Sequence, residues 1–516
     1  MAISRFFIKK SVEQIQTECE SGGLCRSLNA FNLVFLGIGC VIGTGIFVLT
    51  GQQAALNAGP AIAISFVLAG LAAAFAALCY GELSSMLPVS GSAYTYAYAS
   101  LGEFFAWVMG WLLILEYGTA AATVAVGWSG YVTSLLTNNL GLSIPLEYTK
   151  AGGVPIQLAD GSLTYGIFNI PAFLGAFAVT ILLVIGVRES AKVNNIIVII
   201  KLSVLLAFIG VGLFHIDTSL WHPFIPEAGP NPKGETGYGF DGVAKAASVI
   251  FFAYIGFEAV STAGQEAKNP KRDLPIGILG SLAVCTVLYI LVSLVLTGIV
   301  PYKELNVDEP IAKAVDHIGL GNFAVLIKIG AIMGLSSVML VLMYGQTRIF
   351  YAMSKDGLIP GFFSKLHAKY QTPYINTVFV GLIVALGAGT TPLSKLGDLV
   401  SVGTLLAFSI ICGTVIYLRV KNPKAKRGFR VPLYPVTPIL GIIMCLYLAA
   451  QLGHTFYTLK YYLVAGVVIY FAYSQFHSKL RAGIVVQPAD QLDEIIGDPK
   501  KKKKATAKNK PTKKKK

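Results

Sequence analysis

The chain has 516 residues, 54% of them apolar or aromatic and only 13% charged. Soluble domains run near 25% charged, so this chain cannot present a water-compatible surface as one or several ordinary globular domains. Stretches of about 18 or more uncharged residues recur along most of the length, the signature of membrane-spanning helices; disorder, collagen and secreted disulfide scaffolds are excluded. The net charge of +15 is uneven, because residues 478–516 hold 13 of the 41 Lys and Arg against four acids. The Lys runs at 500–504 and 513–516 read as a solvated, disordered tail. Its expected partner is anionic lipid, at about 1 kcal/mol per basic group near the surface, and not nucleic acid.

In chain order, a leader over 1–28 precedes twelve apolar windows. They fall near 29–52, 60–86, 98–135, 169–187, 193–214, 243–265, 275–300, 320–353, 374–390, 398–419, 434–454 and 460–477. The first five occupy 29–214, the next five, with the loop before them, 215–419, and the last two 420–477. Outside the tail, connections on one side hold 19 Lys and Arg, and those on the other hold six (Lys150, Lys233, Lys303, Lys313, Lys395 and Lys460). The positive-inside rule then puts both termini in the cytoplasm. The long connections 136–168 and 215–242 show no clear periodicity and cap a helical bundle. The seven cysteines lie mostly inside apolar windows and read as reduced structural thiols.

Window one contains Gly37-Ile38-Gly39-Cys40-Val41-Ile42-Gly43-Thr44-Gly45-Ile46-Phe47. Each glycine costs a helix about 1 kcal/mol relative to Ala. Gly39 and Gly43 fit close helix packing, but Gly43-Thr44-Gly45 is too dense for packing alone and predicts local unwinding. Bare amides and carbonyls at membrane depth survive only where they line a cavity or bind something. Window six holds Phe251-Phe252-Ala253-Tyr254-Ile255-Gly256-Phe257-Glu258, a second interruption by a glycine and an acid. Glu258 is either functional, or an acid that ties down loosened backbone or faces the cytoplasmic vestibule. Interrupted helices at matching places in two groups of five point to an inverted-repeat transporter with a midplane site. Exposed amides favour a carboxylate and freed carbonyls an ammonium, so a zwitterionic α-amino acid fits such a site without charged side chains.

Two ionisable residues sit deep in other windows. Lys201, flanked by Ile200 and Leu202, cannot snorkel as Lys245 or Lys328 nearer the window ends can, and it must face the interior, either as a permanently charged strut bonded to carbonyls or as a group that gives up its proton. Glu116, in Leu115-Glu116-Tyr117, also faces inward, either bordering the substrate cavity or tying window three to its neighbours. Glu103 begins window three, where the helix dipole favours an acid, and Glu82 ends window two as an interfacial group. An enzyme is disfavoured. The six histidines (His215, His222, His317, His367, His454 and His477) lie at window ends or in loops without ligand spacing, so no metal site is expected, and no nucleotide-binding G-x-x-x-x-G-K-[ST] occurs.

Five motifs in order resemble the amino acid–polyamine–organocation transporter superfamily, specifically its cationic amino acid transporter branch. They are Gly39 to Phe47, Pro88 to Tyr96, Phe251 to Glu258, Asn269 to Pro275 and Tyr351 to Gly357, within a match over roughly 28–477. The resemblance implies a LeuT-like all-α fold: twelve transmembrane helices, with two inverted five-helix repeats, helices one and six broken, and two extra helices. It implies substrate contacts from Val41, Ile42, Gly43, Thr44, Gly45 and Ile46, and from Phe252, Ala253, Tyr254 and Ile255. Phe252 then closes the outer gate, Leu342 shapes the side-chain pocket, and Glu116 borders it in favour of cationic side chains. Lys201 would occupy the space of a sodium ion in sodium-coupled relatives; charged it holds the unwound first span, and neutral it releases it. Ser336 and Ser337 resemble sodium-ligating hydroxyls, yet a lysine ammonium in the same site repels sodium. The expectation is a proton-coupled amino acid symporter of the plasma (inner) membrane, with no organic cofactor and protons as coupling ion. Uncoupled or exchange-type cationic permeation and sodium coupling are the alternatives; the oligomeric state is not readable from the sequence.

Overall fold

The structure, a computed structural model, describes residues 28–88, 92–142, 144–157, 162–186, 191–370 and 372–481. The leader, Cys19, Cys25, part of the Pro88 to Tyr96 motif and the tail beyond 481 lie outside these.

The helices are α1 (Ala30–Val41), α2 (Ile62–Met86), α3 (Ser92–Ser100), α4 (Glu103–Ser134), α5 (Ile170–Ile185), α6 (Ala191–Gly212), α7 (Gly239–Ile250) and α8 (Pro270–Ile299). They continue with α9 (Pro310–His317), α10 (Gly321–Lys355), α11 (Tyr374–Thr390), α12 (Leu393–Lys421), α13 (Val436–Gln451) and α14 (Thr455–Ile469). Local chemistry sets the ends. The Asn29 side chain accepts from Asn32 N at 2.9 Å to start α1, and Asn169 does the same for α5 from Ala172 N at 3.0 Å. Gly186, at φ 86, stops α5 in the left-handed region that a side chain disfavours.

Eight helical stretches among the described residues are long and apolar enough to cross a membrane, and α1, α5, α11 and α13 are shorter apolar helices. Leu174, Ile181, Val287 and Leu291 are exposed on α5 and α8. Such apolar side chains face outward because hydrocarbon, not water, is the solvent there. Inside, α2 packs on α8, α1 on α8, α10 and α12 on α4, and α11 on α5.

The two ends of the bundle differ. At one end, the basic face, Leu28 pairs with the segment ahead of α8 (Leu28 N to Glu266 O, 3.0 Å; Lys268 N to Leu28 O, 2.8 Å). There the α12–α13 connection binds the end of α2, and Ser478 and Arg481 bind Glu103. At the opposite face the loops before α7 and around α9 cover the ends of the broken rods: Tyr238 N donates to Asn57 O at 2.8 Å, and Pro310 packs against Gly51.

Several expectations shift. Window three does not begin at 98; Gly102, at φ 105, separates α3 from α4. The two long connections hold small antiparallel hairpins, 155–157 with 163–165 and 229–230 with 236–237, so the fold carries traces of strand. Lys328 does not snorkel: it is buried, and Nζ donates to Asn139 Oδ1 at 3.2 Å, because the end of α4 folds over it. Ser478 and Arg481, at the expected start of the tail, belong to the folded part.

Candidate functional site

The glycine-rich stretch of the first rod breaks where α1 ends. Ile42 is extended (φ −74°, ψ 97°), and helix resumes from Thr44 with a wide turn over Gly45–Leu49, in which Thr50 N reaches back to Gly45 O. Amides that begin a resumed helix have no preceding turn to bond them. The second rod ends α7 in one tight turn, Phe251–Tyr254. Ile255 is then extended, Gly256 stands at φ 117, and a narrow helix runs Phe257–Ala263.

Glycine lets the two breaks touch. A Cβ on Gly45 would overlap Cα and Cβ of Ala253, and one on Gly256 would lie 2.8 Å from the carbonyl carbon of Cys40. Tyr289 of α8 joins them: its hydroxyl lies 2.8 Å from Val41 O and 2.9 Å from Ala253 O, so one proton serves a carbonyl of each break. Sequence reasoning did not single out Tyr289. Its signal was present, because a buried tyrosine hydroxyl in an apolar helix needs a partner. Tyr131 Oη caps Phe47 O at 2.8 Å, and Tyr254 Oη caps Phe66 O at 2.8 Å.

Lys201 is fully buried on α6. Its Nζ lies 2.9 Å from Gly39 O and 3.3 Å from Ile42 O, on the last carbonyls of α1. Gly334 of α10 makes room for its stem, since a Cβ there would stand 3.0 Å from Lys201 Cγ and Cε. Gly39 packs on α6 itself, against Val198 and Asn194. One amine thus anchors the broken end of the first rod to α6 and α10.

Of the other expected residues, Ile42, Thr44 and Ile46 are fully buried, and Val41, Phe252, Ala253, Tyr254, Ile255 and Leu342 nearly so. Thr44 is pressed against Gly127 of α4, and its hydroxyl has no hydrogen-bond partner among the described residues. Gly43 has room around it, with Val338 Cγ1 3.5 Å from where its Cβ would be. Ser336 is committed elsewhere: it accepts from Trp128 Nε1 at 2.9 Å and donates to Ile332 O at 2.8 Å.

Glu258 follows its structural reading. Oε2 accepts from Gly256 N at 2.8 Å and ties down the break, while Oε1 has no partner. Glu116, fully buried on α4, lies within Coulombic reach of Glu258, Tyr80 and Tyr117. Among the described residues neither of its oxygens is hydrogen-bonded; Thr404 faces it short of bonding geometry. Carboxyl oxygens buried without partners are costly, and a cationic ligand group or a proton relieves the cost.

Comparison with known proteins gives the family of the chain. The family model for amino acid permeases matches residues 28–471. The methylthioribose transporter of Bacillus subtilis (strain 168) is 46% identical over 479 residues, which is 93% of this chain and all of that protein. The branched-chain amino acid permease BcaP of the same organism is 48% identical over 477 residues, 92% of this chain and 98% of BcaP. The vacuolar cationic amino acid transporter 4 of Arabidopsis thaliana is 38% identical over 400 residues, 78% of this chain and 64% of that transporter. With apolar rods, two breaks in contact and a match over most of its length, the chain belongs to the amino acid permease family of the amino acid–polyamine–organocation superfamily, a multi-pass membrane transport protein and not an enzyme.

Proposed function

We propose that this permease is a proton-coupled symporter of α-amino acids that works by alternating access in the plasma membrane, with both termini cytoplasmic. The observation that carries the reading is the Lys201 amine on the carbonyls of Gly39 and Ile42. A charged amine holds the end of α1 through charge–dipole attraction. A neutral amine holds it weakly, so proton release loosens the first rod and opens its side of the site. The breaks in rods one and six, joined by Tyr289, support twelve spans in a LeuT-like arrangement of two inverted five-helix repeats plus two helices. The amides near Gly43 to Gly45 would take the substrate carboxylate, carbonyls of the two breaks its ammonium, and Phe252 would close over it. Sodium coupling is the weaker alternative, because the ammonium repels the ion and the Ser336 hydroxyl is engaged by Trp128.

The test is uptake by proteoliposomes across a pH gradient. Lys201→Ala is expected to transport at a rate independent of pH, and a retained pH profile would overturn the coupling role.

A second reading, selectivity for cationic side chains, is favoured by the unpartnered oxygens of Glu116 and Glu258. Leu342 limits the length of such a side chain, and two relatives are named for methylthioribose and branched-chain amino acids. In a competition panel, Glu116→Gln should weaken arginine and lysine more than alanine; equal losses would make Glu116 a structural acid.

A further inference from the structure

We propose that the α12–α13 connection, seated on the first turn of α8, is a preshaped docking surface for the phosphate headgroup of an anionic phospholipid. The connection is built around a buried acid. Glu82, at the end of α2, has a side chain only 3% exposed. It accepts from Arg419 Nε at 3.0 Å and Nη2 at 2.5 Å, from Arg427 Nε at 3.0 Å and from Val431 N at 2.8 Å. The other Arg427 nitrogens donate to carbonyls of the last turn of α12 and of the connection, including Leu418 O at 3.2 Å and Asn422 O at 3.0 Å, and Phe429 N donates to Ser85 Oγ at 3.0 Å. Both arginines are therefore consumed in shaping the loop and are not offered to a ligand.

What they shape is a cationic surface. Lys421, Lys424, Lys426 and Arg430 are exposed, as are Lys271 and Arg272 on α8. The backbone of Gly428 lies against Lys271, where an added Cβ would stand 2.9 Å from Lys271 Cα, so the two sets form one surface. Among the described residues no acid pairs with any of the six. Val420, Leu433 and Val436 border them as exposed aliphatic side chains at the ends of α12 and α13. Cations beside outward aliphatics at a helix end match a ligand whose phosphate is joined to acyl chains. A soluble anion has no use for the apolar border. Basic surfaces of this kind recognise lipid headgroups, and a fixed loop binds more selectively than a mobile one because its ordering cost is already met.

The clamp separates this proposal from diffuse charge attraction. Glu82→Gln removes a negative charge and frees two arginines, so diffuse attraction would strengthen; a preshaped site would lose its shape and weaken. The full chain is placed in nanodiscs of phosphatidylcholine, with and without phosphatidylglycerol, and its Tm and retained lipid are measured. Phosphatidylglycerol is expected to raise Tm and to stay bound on release from the disc. The surface variant K421Q/K424Q/K426Q/R430Q should lose at least half of that rise, and Glu82→Gln should lose it too. The tail variant K500Q/K501Q/K502Q/K503Q/K504Q should keep it. The proposal is overturned if the surface variant keeps the full rise, if Glu82→Gln enlarges it, if the tail variant abolishes it, or if inorganic phosphate reproduces it in phosphatidylcholine alone. The surface variant touches no buried group, so it decides the matter even if Glu82→Gln fails to fold.

Discussion

At position 45 a hydrogen stands where any side chain would enter the backbone of Ala253 on the other broken rod. Position 43, two residues earlier in the same motif, has its nearest neighbour, Val338, at ordinary contact distance. The two glycines therefore have different jobs, and substitution should separate them. Overpacking costs about 1–3 kcal/mol where neighbours can adjust, and the main chain at Ala253 cannot. Gly45→Ala is expected to reach the membrane yet transport at least tenfold more slowly, taking about 1.4 kcal/mol per decade. Gly43→Ala should stay near the parent rate, while Gly43→Leu, which pushes past Val338, should abolish substrate binding. Labelled amino acid uptake normalised to protein in the membrane checks all three, and equal loss in both alanine variants would refute the assignment. Tyr289→Phe belongs with them. It strips the donor from two buried carbonyls, at about 1–3 kcal/mol for an unsatisfied group, and should slow uptake while leaving insertion unchanged.

Between elements, the segment that follows α14 is held by a carboxylate. Glu103 opens α4 fully buried, and it receives Arg481 Nε at 2.7 Å, Tyr470 Oη at 3.1 Å, Tyr98 Oη at 3.2 Å and the Ser478 hydroxyl. Removing one partner of a buried pair leaves the other charge uncompensated, at about 3–5 kcal/mol. Arg481→Ala should lower Tm in detergent clearly. Ending the chain after Arg481 should leave Tm unchanged, and ending it after His477 should match Arg481→Ala; equal Tm for all three would show the latch to be idle. This element also marks what the sequence can and cannot tell. The breaks at 42–43 and 255–256 were legible because glycine density in the first rod, and a glycine beside an acid in the second, are local signals. The buried Lys201 was legible because a lone charge in an apolar window admits few positions. Arg481 and Ser478 were read as tail, and Glu82 as merely interfacial, because their partners come from distant parts of the chain and no periodicity records such pairings. Lys328 was misplaced for the same reason: its burial depends on Asn139 folding over from α4.

Over the whole molecule, the proposed alternating access requires one end to open while the other stays shut, and the segment ahead of α9 is the candidate lid of the opposite face. The segment ahead of α9 lies on the first rod: Gln52 Nε2 donates to Val307 O at 3.4 Å, Pro310 packs on Gly51, and Asp308 packs on Gly130 and pairs with Lys150. Glu309 on this lid is half-buried. Burial first, and then the Asp308 carboxylate, hold its pKa above the ordinary glutamate value of 4.5, against the opposing pull of Ser134, Lys150 and Lys328. Tyr131 of α4 also lies within reach of both acids. The sign follows from linkage. The seated lid binds this proton more tightly than an open lid with Glu309 in water, so seating is penalised at neutral pH and relieved as pH falls toward 4.5. A cysteine placed at Gln52, half-buried beneath the lid, reports the opening. Its modification by a water-soluble maleimide applied from the lid side should slow as the bath there is acidified, after correction for the thiolate fraction with a free cysteine in the same buffers. Glu309→Gln mimics the protonated acid, so it should react slowly at every pH and lose the dependence. A Gln52→Cys chain whose corrected rate is flat with pH, or a Glu309→Gln chain that keeps the slope, would show that Glu309 does not set the lid.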